Sequence, residues 1–517
     1  MKALLRVVLP VGTGLLLVSA AAAGERWIHA HTEHFEMFSS ASEEESRDLL
    51  VNLEQFRATV LSIYSLPRLR DPRTTVVVFG TDRQFDSFKP LYNGTPTDVA
   101  GYCIGSSDET VIALTAGHGF TAAGEIIFHE YVHLLLSAGG DQPPLWLNEG
   151  LAELFSTFRI RKGSVELGRA KPDHVDTLNH LRLMPLGWLF AVTTQSSSYN
   201  EGVRQSVFYA ESWALVHYLV CGKDCATYLP ELRRFKERLA TPDGVIDRSF
   251  REAFGMSYED MEANLRRYLQ SGQYFIHRDK LPLGDLSAQI KFRTADDFEQ
   301  EVALVNLRWR VRHDGSATYR LLQLAESHPG SPRPHEVLAA VAMNGGDSEG
   351  AFVHWRRAAD LGSENAYIYL QLAKEKLDQI INGLSLDYRM PAELAGQLRG
   401  WLDRAVVLSP NYLEAYEALA YVEALAESPR LDVMNRVQGV LPRMKDKMRT
   451  LFAIAIVRWR TQDFVTARQI AIFLMATPQI SAELRDRAER LYARIPPPAE
   501  LAAAPAPTGS AESSTAK

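Results

Sequence analysis

Residues 128–155 read FHEYVHLLLSAGGDQPPLWLNEGLAELF, and His129, Glu130, His133, Glu149 and Glu153 within them are the residue types that hold and use a metal ion. Helix positions four apart lie on one face, so His129 and His133 can each aim an imidazole nitrogen at a common point. Glu130 is turned about 100° from His129. Its carboxylate then stands beside that point, where it can take a proton from a zinc-activated water. The apolar setting, IIFHEYVHLLL, places the helix in a core where an unpartnered polar group is costly, and a metal supplies the partner. GGDQPP breaks the chain, and LWLNEGLAELF returns as a second helix with Glu149 and Glu153 one turn apart. One carboxylate can complete the ligand set, while the other, or Asn148, accepts the free N–H of a ligand histidine and fixes its tautomer. Three protein ligands leave a fourth position open, as in catalytic and not structural zinc sites. The competing account is a hydrogen-bonded polar cluster between two helices, with no metal.

The elements that must position these residues follow from periodicity. WIHAHTEHFEMFSS alternates like a strand, and LLVNLEQFRATVLSIYSL has helical spacing. RTTVVVFGT, TDVAGYCIG and ETVIALTA are three short strand candidates, the last directly before the His129 helix. His29, His31 and His34 do not form a ligand set, because strand alternation puts His34 on the face opposite the other two. From Val203 to about Tyr274 the pattern is helical. The first domain, 24–277, therefore reads as α+β turning to all-α, with 278–295 as a linker.

From 296 to 495 only helical segments are expected. Turn positions recur with the tetratricopeptide period: Pro329 and Ser363 are 34 residues apart, Pro410 and Pro478 are 68 apart, and about 13 residues are inserted around NGLSLDYRMPAEL. The region reads as an all-α, TPR-like helical-repeat domain whose concave surface suits a protein partner and is dispensable for chemistry. Residues 496–517, rich in Pro, Ala and Ser, read as a disordered tail.

The two central stretches resemble the gluzincin zinc metallopeptidases, in which His-Glu-x-x-His is followed by Asn-Glu in a second helix. PLWLNEGLAELF and YAESWALVHYL are similar to segments of the peptidase MA-like family of bacterial secreted proteins, over about residues 27–275. The resemblance implies one Zn2+ per chain held by His129, His133 and Glu149, with Glu153 in the place of a supporting acid that is more often Asp. It implies peptide-bond hydrolysis with Glu130 as general base. It also implies a thermolysin-like fold whose edge strand before the metal helix, here ETVIALTA at 109–116, holds an extended substrate. Finally, it implies an oxyanion-stabilising tyrosine, Tyr209, which stands 60 residues after Glu149; Tyr199 and His217 are the next candidates. No Gly-x-Met-x-Asn-like exopeptidase pattern is present, which favours an endopeptidase.

Lys2 and Arg6, an apolar run from Val7 to Val18 and small residues to Ala23 make residues 1–23 a secretory signal peptide. A secreted or periplasmic protein is expected, on a membrane only if the signal stays uncleaved. The net charge of −7 and the lack of a basic run interleaved with aromatics exclude a nucleic-acid footprint. Cys221 and Cys225, in CGKDC, can form a bridge or remain thiols. Two functions fit: a zinc peptidase acting on a protein or peptide substrate, or a zinc-binding TPR scaffold with little turnover.

Overall fold

The computed structural model describes residues 26–64, 73–117, 120–138, 143–200, 202–239, 244–383, 385–444, 446–478 and 480–497. The expected signal peptide, nearly all of the expected tail and His118 lie outside them. The stretch read as one N-terminal strand is a hairpin of β1 (Ile28–His31) and β2 (Phe35–Ser39), followed by α1 (Glu43–Tyr64), β3 (Arg73–Phe79) and α2 (Asp82–Asp86). A small ribbon of β4 (Leu91–Tyr92) and β5 (Thr95–Pro96) leads to β6 (Gly101–Gly105) and β7 (Glu109–Thr115). Then come α3 (Phe120–Ala138), α4 (Leu145–Phe155), β8 (Arg159–Arg161), β9 (Ser164–Leu167), α5 (Pro172–His180), α6 (Leu186–Ala191) and α7 (Ser197–Asn200). The helical stretch that closes this part holds α8 (Gly202–Cys221), α9 (Cys225–Leu239), α10 (Ile246–Phe254) and α11 (Tyr258–Ser271).

Residues 278–295, read as a linker, are tied into the first domain. β10 (His277–Lys280) pairs with β9, and β11 (Phe292–Thr294) pairs with β1. The main sheet runs β11-β1-β2-β3-β7-β6, with β2, β3 and β7 parallel and β6 antiparallel at one edge. Val76, Val77 and Val78 of β3 are all fully buried, because both faces of the sheet are covered and the strand can be apolar throughout. One face packs Met37, Val76, Ile112 and Leu114 on α1 and α3. The other packs Phe38, Val77, Phe79, Val111 and Ala113 on Phe85 of α2 and on Ala303 and Leu307 of α12 (Asp297–Arg312). The first helix after the strands thus completes the core of the sheet.

The chain continues as α13 (Ser316–Ser327), α14 (Arg333–Asn344), α15 (Ser348–Asp360), α16 (Ala366–Asn382) and α17 (Ala392–Leu408). It ends with α18 (Leu413–Leu425), α19 (Leu431–Val440), α20 (Met448–Arg460), α21 (Phe464–Ala476) and α22 (Ala482–Arg494). From α12 to α19 each helix packs on the next, α20 packs back on α18, and the molecule is an α+β unit followed by an all-helical region. The inserted residues between Ser363 and Pro410 lengthen α16 and α17 to 17 residues each, against 12 or 13 in α14 and α15, and form the connection between them.

A buried ionic network joins the two parts. Glu109, at the start of β7, accepts from Thr75 (2.6 Å), from Asn306 of α12 (2.8 Å) and from Arg333 of α14 (3.2 Å), with Arg310 at 3.5 Å. Arg333 and Arg73 also bond Glu336, which accepts from Ser363. Burial pushes the Glu109 carboxyl upward, but Arg333, Arg310 and Arg73 overcome it and hold it at about 2. Cys103, Cys221 and Cys225 are free thiols, so the CGKDC pair is not bridged. Among the described residues no helix is long and apolar enough to cross a membrane.

Candidate metal centre

α3 and α4 bring His129, His133 and Glu149 together. Gly150 is what lets α4 lie against α8: a Cβ there would stand 2.4 Å from the Ser212 carbonyl oxygen, so no larger residue follows Glu149 without moving a helix. The Nε2 atoms of His129 and His133 are 3.2 Å apart, and each lies 3.5 Å from Oε2 of Glu149. That oxygen is buried and has no hydrogen-bond partner. A tetrahedral ion with bonds of ~2.0–2.1 Å separates its ligand atoms by about 3.3–3.4 Å. The triad therefore has a spacing that a tetrahedral metal ion can bridge. Burial alone would raise the Glu149 carboxyl, but the two imidazoles facing it hold it at about 2.

Each histidine is oriented from behind. Asn148 Oδ1 lies 3.0 Å from His133 Nδ1, which leaves Nε2 free to face the centre. Glu153 Oε1 lies 3.5 Å from His129 Nδ1. The sequence offered Glu153 or Asn148 for this task, and the structure gives one to each ring. Glu153 is in turn gripped by α5 and the residue before it: Lys171 Nζ donates to its Oε2, and His174 Nε2 is 3.0 Å from the same oxygen. Burial pushes Glu153 upward, and His174 and Lys171 hold it at about 2. Lys171 and His174 carry no spacing relation to the histidine pair, so sequence reasoning missed them.

Glu130 is exposed beside the triad. Its charge helps to raise His133, Tyr199 and the Cys103 thiol of β6, so the ligand set and β6 are both within its electrostatic reach. Tyr209 does not stand alone. Its hydroxyl bonds that of Tyr199, which donates to Glu149 Oε1 (3.2 Å), and the two rings stack with centroids 6.0 Å apart. Burial raises both phenols, so they stay protonated donors. His217 is a satisfied core residue, with Nε2 2.7 Å from the Gly168 carbonyl oxygen and Nδ1 2.7 Å from the Tyr268 hydroxyl. His34 pairs with Glu54 (2.7 Å) and His29 with Glu36 (3.3 Å), so the N-terminal histidines do not converge.

The edge strand requires a correction. β7, expected at the edge, lies between β3 and β6 and is buried along its whole length. The edge is β6. Hydrogen bonds from Thr115 N to Ala100 O (3.0 Å) and from Ser106 N to Glu109 O (3.1 Å) fix the ladder's phase. Antiparallel bonding alternates, so Tyr102 and Ile104 bond β7 while Gly101, Cys103 and Gly105 turn their N–H and C=O groups to the open side. A Cβ at Gly105 would meet Leu134 of α3 at 2.2 Å, so glycine brings this strand close beneath the metal helix.

A family model described as "Protein of unknown function (DUF1570)" matches residues 125–240, from the metal helix through α9, and so includes the triad, Glu130, Glu153, Tyr199 and Tyr209. Neither the curated proteins nor the solved structures gave a match to the chain.

Proposed function

We propose that the chain is an exported zinc-dependent peptidase, most plainly an endopeptidase. The observation that carries this reading is the triad His129, His133 and Glu149, with ligand atoms 3.2–3.5 Å apart, one of them a buried carboxylate oxygen that accepts no hydrogen bond. Bound there, zinc would supply Lewis acidity toward a carbonyl and lower the pKa of a water at the open position. The chain's own residues do the rest. Asn148 and Glu153 hold the ligand rings, and Lys171 with His174 hold Glu153. Glu130, free of the ligand set, accepts the proton of the attacking water and passes it to the leaving amine. Tyr199 keeps its single O–H on Glu149 Oε1, and Tyr209 turns its own from Tyr199 to the oxygen on which negative charge develops. The open edge of β6 receives an extended peptide by strand addition next to Glu130.

The test compares the wild type with Glu130→Gln for zinc content and for hydrolysis of unfolded casein, with and without chelator. The reading expects the variant to keep its zinc and lose hydrolysis, since an amide cannot take the proton. The other function, a zinc-holding helical scaffold, expects no chelator-sensitive hydrolysis from either protein.

A further inference from the structure

At the C-terminal end of β6 a cavity of about 310 Å³ opens where the β6–β7 turn meets the helical region. Its walls come from five segments: Ile104 and Asp108 of the hairpin, Trp309 of α12, Met343 of α14, Trp355 of α15 and Tyr367 of α16. Trp309 and Trp355 are buried, while Met343 is 42% exposed at the rim. The charges nearby are already paired. Arg310 binds Asp108, and Asn365 Nδ2 donates to the Asp108 carbonyl oxygen (3.1 Å). Ser107, His313 and Asn344 add polar atoms to a lining whose larger exposed share is apolar and aromatic, at the small end of ligand pockets, ~300–1,000 Å³. That is room for one large side chain, not for a cofactor.

The ladder phase of β6 connects this cavity to the metal centre. A strand added to the open edge places each side chain on the same face of the sheet as the β6 residue it pairs with. Partners of Gly101, Cys103 and Gly105 point toward α3, the side on which Cys103 Sγ approaches the Ile127 carbonyl and Glu130 lies. Partners of Tyr102 and Ile104 point the other way, toward α12, because Tyr102 and Ile104 pack in the core on that face. Ile104 is itself a wall of the cavity. We infer that the cavity is a substrate subsite taking the large apolar or aromatic side chain of the peptide residue that pairs with Ile104. This inference rests on the peptidase reading above and makes α12 to α16 part of the specificity apparatus.

Two measurements separate the subsite from that reading. In the first, the zinc-loaded protein digests a synthetic peptide library and the cut sites are read by mass spectrometry. Phe, Trp, Leu and Met should be enriched ~10-fold or more at one fixed position removed from the scissile bond. Met343→Trp, which fills the cavity from its rim, should abolish that enrichment while peptides with Gly at that position are cut as before. Met343→Ala, which widens it, should move the preference toward Trp. Melting temperatures of both variants are compared with the wild type. Library cleavage with no such position, or a preference unchanged in both variants, overturns the subsite and leaves the peptidase reading intact.

In the second, zinc-loaded Glu130→Gln protein is irradiated with extended peptides carrying a benzophenone side chain at successive positions. One position should cross-link to Ile104 or Met343. If no library peptide is cut, the peptidase reading fails, and the subsite then stands or falls on this cross-link alone.

Discussion

Glu149 and Glu153 sit one helical turn apart, and what faces each decides its part. Glu149 Oε2 faces the Nε2 atoms of both His129 and His133, whereas Glu153 faces the Nδ1 of His129 on one side and Lys171 and His174 on the other. Glu149→Ala should therefore abolish zinc binding, while Glu153→Ala, which loosens His129, should weaken it ~10 to 100-fold. Competition against a chromophoric chelator measures both, and equal losses would show that the ligand has been misassigned. Tyr209→Phe removes the outer donor of the Tyr209–Tyr199–Glu149 chain. Its turnover should fall ~100 to 1000-fold with zinc content unchanged, and Tyr199→Phe added to it should cost little more, because the two hydroxyls act in series. A Tyr209→Phe protein with full turnover would end its assignment. The histidine pair was legible in the sequence because helical geometry brings positions four apart together, whereas Glu149, on a second helix one turn from Glu153, was singled out by the family resemblance. The grip on Glu153 was not, since Lys171 and His174 lie 18 and 21 residues away and reach it only through the path of β8, β9 and α5.

Strand existence was likewise legible from β-branched runs such as TTVVV, but strand order was not. A strand buried on both faces and an edge strand with one free flank can carry the same apolar residues. β7 was therefore taken for the edge on its position before α3, while Gly-rich β6 holds that place. β10 and β11 are three or four residues long, mostly polar, and owe their form to β9 and β1. What marks β7 as internal is Glu109, a carboxylate 2% exposed and surrounded by arginines from α12 and α14. Glu109→Gln should destabilise the protein by ~3–5 kcal/mol at neutral pH, by leaving Arg310 and Arg333 short of a partner charge. Its folded-state pKa of about 2 lies below the ordinary 4.5, so its stabilising charge is complete above about pH 4.5 and lost as pH falls toward 2. The gap between wild type and Glu109→Gln in urea unfolding should accordingly be wide at pH 7 and narrow at pH 3. A gap independent of pH would mean that Glu109 is not ionised in the fold.

On the scale of the whole molecule, the helical region is a structural part of the sheet and not an appendage. Trp27, Phe38, Val77 and Phe79 share one core with Ala295, Ala303 and Leu307. A protein ending at His277 loses β11 and α12 together, and it should be recovered without near-UV circular dichroism and with rapid proteolysis of the sheet. A stable, zinc-binding truncation would show instead that α12 is a removable cover. The helical periodicity was legible in the sequence. This docking was not, because an amphipathic helix does not record which partner its apolar face will meet. The pairing of β1 with β11, and of Glu109 with Arg333, also sets an order of events. A chain made from its N-terminus presents residues 129–149 long before Thr294 and Arg333 exist to close the sheet beneath them. Long-range contacts of this kind form slowly and last. For the peptidase proposed above, the metal-binding residues and Glu130 would be synthesised early but the sheet beneath them closed late, so that during its own synthesis the nascent chain would have no finished cleft with which to cut itself or its neighbours.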